Sequence, residues 1–256
     1  MPDPATKQPL RERLGELKIP WTVADGQTPL IDGLAAEAIC MPHTVEEAAE
    51  ALAWANAAGL AVAPVGAGTK LGLGNRPRRL DLLLSTRQLS RVLEYEPANL
   101  TVTVEAGLTL AQLQQTLGER GQWLALDPPD AARATIGGIL ATNASGPRRL
   151  GYGAARDLVI GTTVVLPDGK IARAGGKVVK NVAGYDLNKL YVGSLGTLAV
   201  LAEVTFKVAP LPPTEMTVVA HFADVGQARA VIHRVLMSPL MPLAVELLNA
   251  PAARAI

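Results

Sequence analysis

An apolar run from Leu60 to Val65 empties directly into Gly66-Ala67-Gly68-Thr69-Lys70-Leu71-Gly72, and this junction constrains the fold more than any other stretch. A strand that ends in closely spaced glycines can bring its backbone against something that side chains would hold off. Successive N–H groups can then converge on an anion. The loop suits a phosphate or diphosphate, and it equally suits a tight turn between two strands. It matches neither familiar nucleotide loop: read from Gly66, Leu71 stands at the last glycine of G-x-G-x-x-G, and no Gly-Lys-hydroxyl ending follows. A doubly wound dinucleotide fold and a P-loop are both disfavoured.

The surroundings read as alternating strands and helices. Thr44-Val45-Glu46-Glu47 has the spacing of a capping box, and Val45, Ala48, Ala49, Leu52 and Ala53 line one helical face up to a stop at Gly59. Leu80 to Leu84 is a second strand. Thr101 to Val104 and the turn Glu105-Ala106-Gly107 open another unit, in which Thr109 and Gln112 repeat the capping spacing ahead of Leu110, Leu113 and Leu117. Val159 to Leu166 and Ile171 to Arg173 flank Pro167-Asp168-Gly169-Lys170, a hairpin turn. Ala202 to Val208 alternates as a half-buried strand. Pro210, Pro212 and Pro213 then disfavour both helix and central strand and mark a boundary. Beyond them, Thr217 to Phe222 and Ala244 to Leu248 read as strands around a helix containing Ala228, Val231, Ile232 and Val235.

Composition narrows the function classes. With 49% hydrophobic residues over 256 positions, the chain fills one large core or two modest ones. Its 24 basic and 23 acidic residues leave a net charge of +1, which provides no field for nucleic acid or an anionic membrane. A lone cysteine, Cys40, can neither close an internal disulfide nor hold an iron–sulfur cluster or structural zinc. That usage, charges early in the chain and the lack of a membrane-length apolar run predict a cytoplasmic protein, with docking at the inner face of the cell membrane only through partners. The histidines His43, His221 and His233 are scattered; His43 reads as a surface or capping residue, and no metal site is expected. Tyr185 and Lys177 read as solvated side chains.

Two further clusters share the density of small and hydroxyl residues. One runs from Thr135 to Gly146, followed by Gly151-Tyr152-Gly153 and Arg156-Asp157. The other runs from Lys180 to Leu187, followed by Gly193-Ser194-Leu195-Gly196-Thr197. In this order, and with the Pro42-His43-Thr44-Val45-Glu46-Glu47 helix entry, the three clusters resemble the flavin-binding domain of the vanillyl-alcohol oxidase and para-cresol methylhydroxylase (PCMH) superfamily. The resemblance covers roughly Ala38 to Pro210. Within the superfamily, Thr142 to Arg149 and Gly184 to Leu187 look most like the FAD-binding E subunits of bacterial glycolate oxidases.

The resemblance implies an α+β fold in which two α/β subdomains hold FAD between them, followed by the start of a small α/β cap. The corresponding units are an extension over 1–34, an FAD-binding domain over 35–213 divided into about 35–98 and 99–213, and a partial cap over 214–256. It places Val65, Gly66, Ala67, Gly68, Thr69 and Lys70 on the FAD pyrophosphate, chiefly through backbone N–H groups. Asp127, Pro128, Thr135, Ile136, Gly137 and Gly138 pass near the isoalloxazine and pyrophosphate, while Ala141, Thr142, Asn143 and Gly146 line the flavin side. Gly153, Arg156 and Asp157 belong to the same motif, and Gly196 and Val200 lie along the cofactor. The glycine loop offers no histidine or cysteine as a tether, so noncovalent FAD is expected. No catalytic base is identifiable: Leu195 stands where many self-sufficient relatives carry glutamate, and their substrate-binding groups come largely from a complete cap and later segments. The implied role is a subunit that contributes to oxidation of glycolate or a related 2-hydroxy acid, beside a second flavin subunit and an iron–sulfur subunit. The alternatives are a self-sufficient small FAD oxidoreductase and a noncatalytic scaffold.

Overall fold

The computed structural model describes residues 10–15, 17–176 and 185–254. Its first half comprises α1 (Leu10–Leu14), β1 (Trp21–Val23), β2 (Ala38–Cys40), α2 (Val45–Ala57), β3 (Val62–Val65) and β4 (Leu82–Ser85). The four strands form one sheet in the order β1-β2-β4-β3, with β2, β4 and β3 parallel and β1 antiparallel at the edge. Leu82, Leu83 and Leu84 are all fully buried, as a central parallel strand covered on both faces requires. Cys40 is buried in β2, and loss of hydration pushes its thiol up to about 11, so it is protonated at neutral pH.

The second half comprises β5 (Val92–Glu96), β6 (Thr101–Glu105), α3 (Leu110–Gly118), β7 (Gln122–Trp123), α4 (Ile136–Thr142), α5 (Arg149–Tyr152), α6 (Ala155–Leu158), β8 (Val159–Val165), β9 (Ile171–Gly175), α7 (Asn188–Tyr191), β10 (Val200–Lys207) and β11 (Ala209–Pro210). A five-stranded antiparallel sheet runs β5-β6-β10-β8-β9, and α4 packs on its central strand β10. Phe206, fully buried on β10, lies in the larger core together with Leu113, Leu117, Leu124 and Ile136. The smaller core joins α2 to both sheets through Leu52, Leu84, Val165, Val200 and Ala202. The architecture is thus mixed α+β, with two sheets in contact through shared apolar side chains.

Local chemistry sets the helix starts. Thr109 and Gln112 form the reciprocal box, each side chain serving the other's backbone N–H. At α2 the expected box is shifted. Thr44 accepts from Glu47 N at 3.1 Å, but the Glu47 carboxylate reaches back to the N–H of exposed His43 at 2.7 Å.

Two expectations differ from the structure. Pro210 does enter a strand, because β11 needs only a single antiparallel partner, β7, and a strand at such an edge tolerates a missing N–H. Thr217 to Phe222 and Ala244 to Leu248 are not strands. The residues after β11 form α8 (Val225–Leu236), capped by Asp224, and α9 (Ala250–Arg254), joined by turns and irregular segments. An apolar stretch makes a strand only when a neighbour accepts its N–H row, and among the described residues no strand pairs with either segment.

Phe206→Ala should cost about 3–5 kcal/mol, the usual loss for an aromatic truncated inside a packed core. Urea denaturation should show a lower midpoint at unchanged slope.

Candidate functional site

β3 is an outer strand, and its free edge faces the second sheet. Pro64 sits on that edge. A Cβ on Gly196 would strike the Pro64 ring at 2.5 Å, so the 193–197 loop lies directly against the strand. Between them opens a shallow cleft of about 180 Å³, lined by Leu52, Asn56, Val62, Pro64, Gly196 and Val200 among others. The glycine loop continues from the same edge. A Cβ on Gly66 would overlap the Thr135 hydroxyl, which means that the loop touches the start of α4 only because the side chain is absent. At Gly68 the requirement is conformational: its φ of +74° is left-handed, while a Cβ there would find ordinary contacts.

The backbone donors divide clearly. Among the described residues, none of the N–H groups from Gly66 to Gly72 has an acceptor. By contrast, the first N–H groups of α4 are already used: Ile136 donates to Leu108 O at 2.8 Å, Gly137 to Ala106 O at 2.7 Å, and Gly138 to the Thr135 hydroxyl at 3.3 Å. Thr135 to Gly138 therefore contributes shape and closeness, and the 66–72 loop contributes the donors. Asn143 ends α4 in a left-handed conformation (φ +47°), and its Oδ1 is buried without a hydrogen-bond partner. A buried orphaned acceptor and a row of free donors are each groups that a polar ligand would satisfy.

Other predicted positions are tied to this surface. Gly193 N and Leu195 N donate to Leu140 O and Ala141 O at 2.9 and 2.7 Å, holding the 193–197 loop on α4. Gly146 packs against Asp127, with Arg148 N donating to the Asp127 carboxylate at 3.0 Å. Pro128 is buried beside it. Val65 is buried at the end of β3, whereas Ala67, Thr69, Lys70, Ala141 and Thr142 are half-buried. Gly153, Arg156 and Asp157 have local contacts: Asp157 accepts from Ala154 N at 2.9 Å and lies against Gly153, and Arg156 is exposed. Lys177 and residues 180–184 of the third cluster lie outside the described residues; Tyr185 is exposed. Among the described residues no group of three or more His, Cys, Asp or Glu side chains is placed to hold a metal.

Sequence reasoning missed Asn56, Val62 and Pro64 as cleft residues. The signal was present, because a proline inside an apolar strand pattern marks an edge, and an open edge is where a cleft forms. It also missed Arg148 and Glu215. These make a bidentate ion pair at 2.6 and 2.7 Å, with the guanidinium 4.8 Å above the Trp123 ring.

The family described as FAD binding domain matches residues 36–175. Glycolate oxidase subunit GlcD of Bacillus subtilis is 34% identical over 215 residues, covering 84% of this chain and 46% of that protein. Glycolate oxidase subunit GlcE of Escherichia coli is 42% identical over 127 residues, covering 49% of this chain and 36% of that protein. In fold, the chain superposes on alkyldihydroxyacetonephosphate synthase with a TM-score of 0.62 at 26% identity, over 70% of this chain and 33% of that one. The chain thus spans less than half the length of these relatives.

Two outcomes test the site's construction. Gly66→Val should lower stability without any ligand present, by about 1–3 kcal/mol as in overpacking, whereas Gly68→Ala should cost about 1 kcal/mol through its backbone angle. Paired denaturation curves measure both. The Arg148 guanidinium hydrogen-bonded to Glu215 holds that carboxyl below its ordinary range. A carboxyl depressed in the folded state contributes stability above its unfolded pKa and loses it as pH falls through the folded one. Thermal midpoints of the wild type and Glu215→Gln should therefore differ at neutral pH and converge as the pH falls through the depressed folded-state value.

Proposed function

Since the chain belongs to the family of FAD-binding domains and FAD is its cofactor, we propose that the 66–72 loop receives the pyrophosphate and that the protein is an E-type subunit of a glycolate-oxidising complex. The observation that carries the reading is the row of unpartnered N–H groups from Gly66 to Lys70, whose first residue lies against Thr135. Backbone donors are suited to a diphosphate because they bind the anion at fixed positions without counter-charge. In this assignment Val65 to Lys70 hold the pyrophosphate, with the Thr69 hydroxyl as an added donor. Asp127, Pro128 and Thr135 to Gly138 form the floor. Ala141, Thr142, Asn143 and Gly146 form the flavin-side wall, joined by Gly153, Arg156 and Asp157, and Gly196 and Val200 border the cleft at the β3 edge. The FAD unit spans 35–213, its halves meeting near residue 98, and 214–256 is part of a cap.

When bound, the flavin supplies the acceptor for a hydride from a substrate carbinol carbon. The residues gathered around the site are mainly glycine, alanine, threonine, valine and asparagine, which position a ligand and exclude water, and its carboxylates Asp127 and Asp157 already accept the backbone N–H groups of Arg148 and Ala154. The proton acceptor and the carboxylate clamp for a small 2-hydroxy acid therefore come from other segments or from partner chains. A second flavin subunit and an iron–sulfur subunit complete the path, the latter because one buried cysteine cannot support a cluster. The identity to GlcE over half the chain supports the subunit reading. Among the described residues no helix is long and apolar enough to cross a membrane. Cytoplasmic placement, with contact to the membrane through partners, is part of the same proposal.

The purified chain reconstituted with FAD should be yellow, and acid precipitation should release all the colour. Colour retained in the pellet would contradict a noncovalent site. Glycolate should not bleach the isolated chain but should do so once the two partner subunits are added; sustained turnover by the chain alone with an artificial acceptor would overturn the subunit assignment.

A further inference from the structure

The segment from Asn143 to Gly153 leaves α4 through a left-handed residue and is short of regular hydrogen bonding until α5. Two of its tethers come from residues beyond β11. Glu215 grips the Arg148 guanidinium with both carboxylate oxygens, and Leu243 O accepts from Gly151 N at 3.1 Å. The second contact is close enough that a Cβ on Gly151 would lie 2.9 Å from the Leu243 Cα. Trp123 completes the arrangement from below: Arg148 stacks on its face, and Tyr152 meets its edge with centroids 5.2 Å apart. Around these contacts the region from Met216 to Leu248 is largely exposed, with Ala228 its one residue in the described buried core.

We infer that Arg148 and Glu215 form a clamp by which residues 211–254 fix the 143–153 segment, so that both are positioning residues for the flavin-side wall. The inference rests on the FAD reading for what the wall contacts, but the clamp itself is a property of the chain without ligand. The physical case is one of order. From Ser145 to Arg148 no N–H has a backbone acceptor among the described residues. The single turn of α5 that follows hangs on Arg148, whose carbonyl accepts from Gly151 N and Tyr152 N at 3.1 and 3.0 Å, so the bidentate ion pair on an aromatic face anchors the residue on which that turn is built. Gly146, whose N–H has no acceptor among the described residues, and Asn143, with its orphaned acceptor, both lie on the clamped segment. Releasing Arg148 should blur the positions of both. The 66–72 loop has no contact with Glu215 or Leu243 among those described and should be unaffected.

The test uses Glu215→Gln, Arg148→Gln and the reversed pair Arg148→Glu with Glu215→Arg. All change partly exposed side chains, so folding should survive. In the apo chain, amide exchange at Gly151 and Tyr152 should quicken about fivefold in each single variant, the effect expected of one well-formed ion pair on an aromatic ring. Exchange at Ile139 and Leu140 should be unchanged. The dissociation constant for FAD, read by flavin fluorescence, should rise by a similar factor while that for ADP, which takes only the loop, should stay within about 1.5-fold. The reversed pair should recover most of the loss. Unchanged exchange at Gly151 and Tyr152 in the single variants would overturn the clamp, and so would faster exchange with unaltered FAD affinity. If the wild-type chain takes up no FAD while exchange still quickens in the variants, the FAD reading fails and the clamp stands.

Discussion

The approach of Gly66 to Thr135 is the contact on which the rest of the structure's site depends. It joins the end of an edge strand in one sheet to the first residue of a helix packed on the other, and a single Cβ would close the gap. The N–H groups from Gly66 to Gly72 have no acceptor among the described residues. The α4 start, in turn, uses its donors on Leu108 and Ala106. One wall therefore supplies donors and the other supplies form. This division follows from how each backbone is already committed, without reference to any ligand.

Stability and function meet in the same places. The shared core of Leu52, Leu84, Val165, Val200 and Ala202 fixes the angle between the sheets, and Val200 and Leu52 also line the cleft. A substitution there would alter both packing and the shape of the opening. By contrast, the residues after β11 touch the site through few contacts and leave many apolar side chains in solvent, including Met216, Val218 and Met241.

Much of this was legible in the sequence because it depends on residues close together in the chain. Thr109 and Gln112 announce their helix by spacing alone, and the Leu60 to Gly72 stretch announces a strand ending in a permissive loop. What was illegible depends on distant residues. Nothing local marks Thr135 as the neighbour of Gly66, or Leu243 as the neighbour of Gly151. The apolar stretch Thr217 to Phe222 reads as a strand, but β10 has β6 and β8 on its two sides and the later segment has no such neighbour among the described residues. Glu47 shows the same limit at small scale: its spacing predicts a cap, while the partner it takes, His43 rather than Thr44, depends on the path of the incoming chain.

The central claim is that the 66–72 backbone is the diphosphate site. It is tested most directly by following the amide resonances of Gly66, Ala67, Gly68 and Thr69 while the apo chain is titrated separately with ADP, FAD and riboflavin. The account predicts large shifts at these four residues with ADP and FAD and none with riboflavin, which has no phosphate. Shifts that leave this loop untouched with ADP and FAD, or that appear equally with riboflavin, would contradict it.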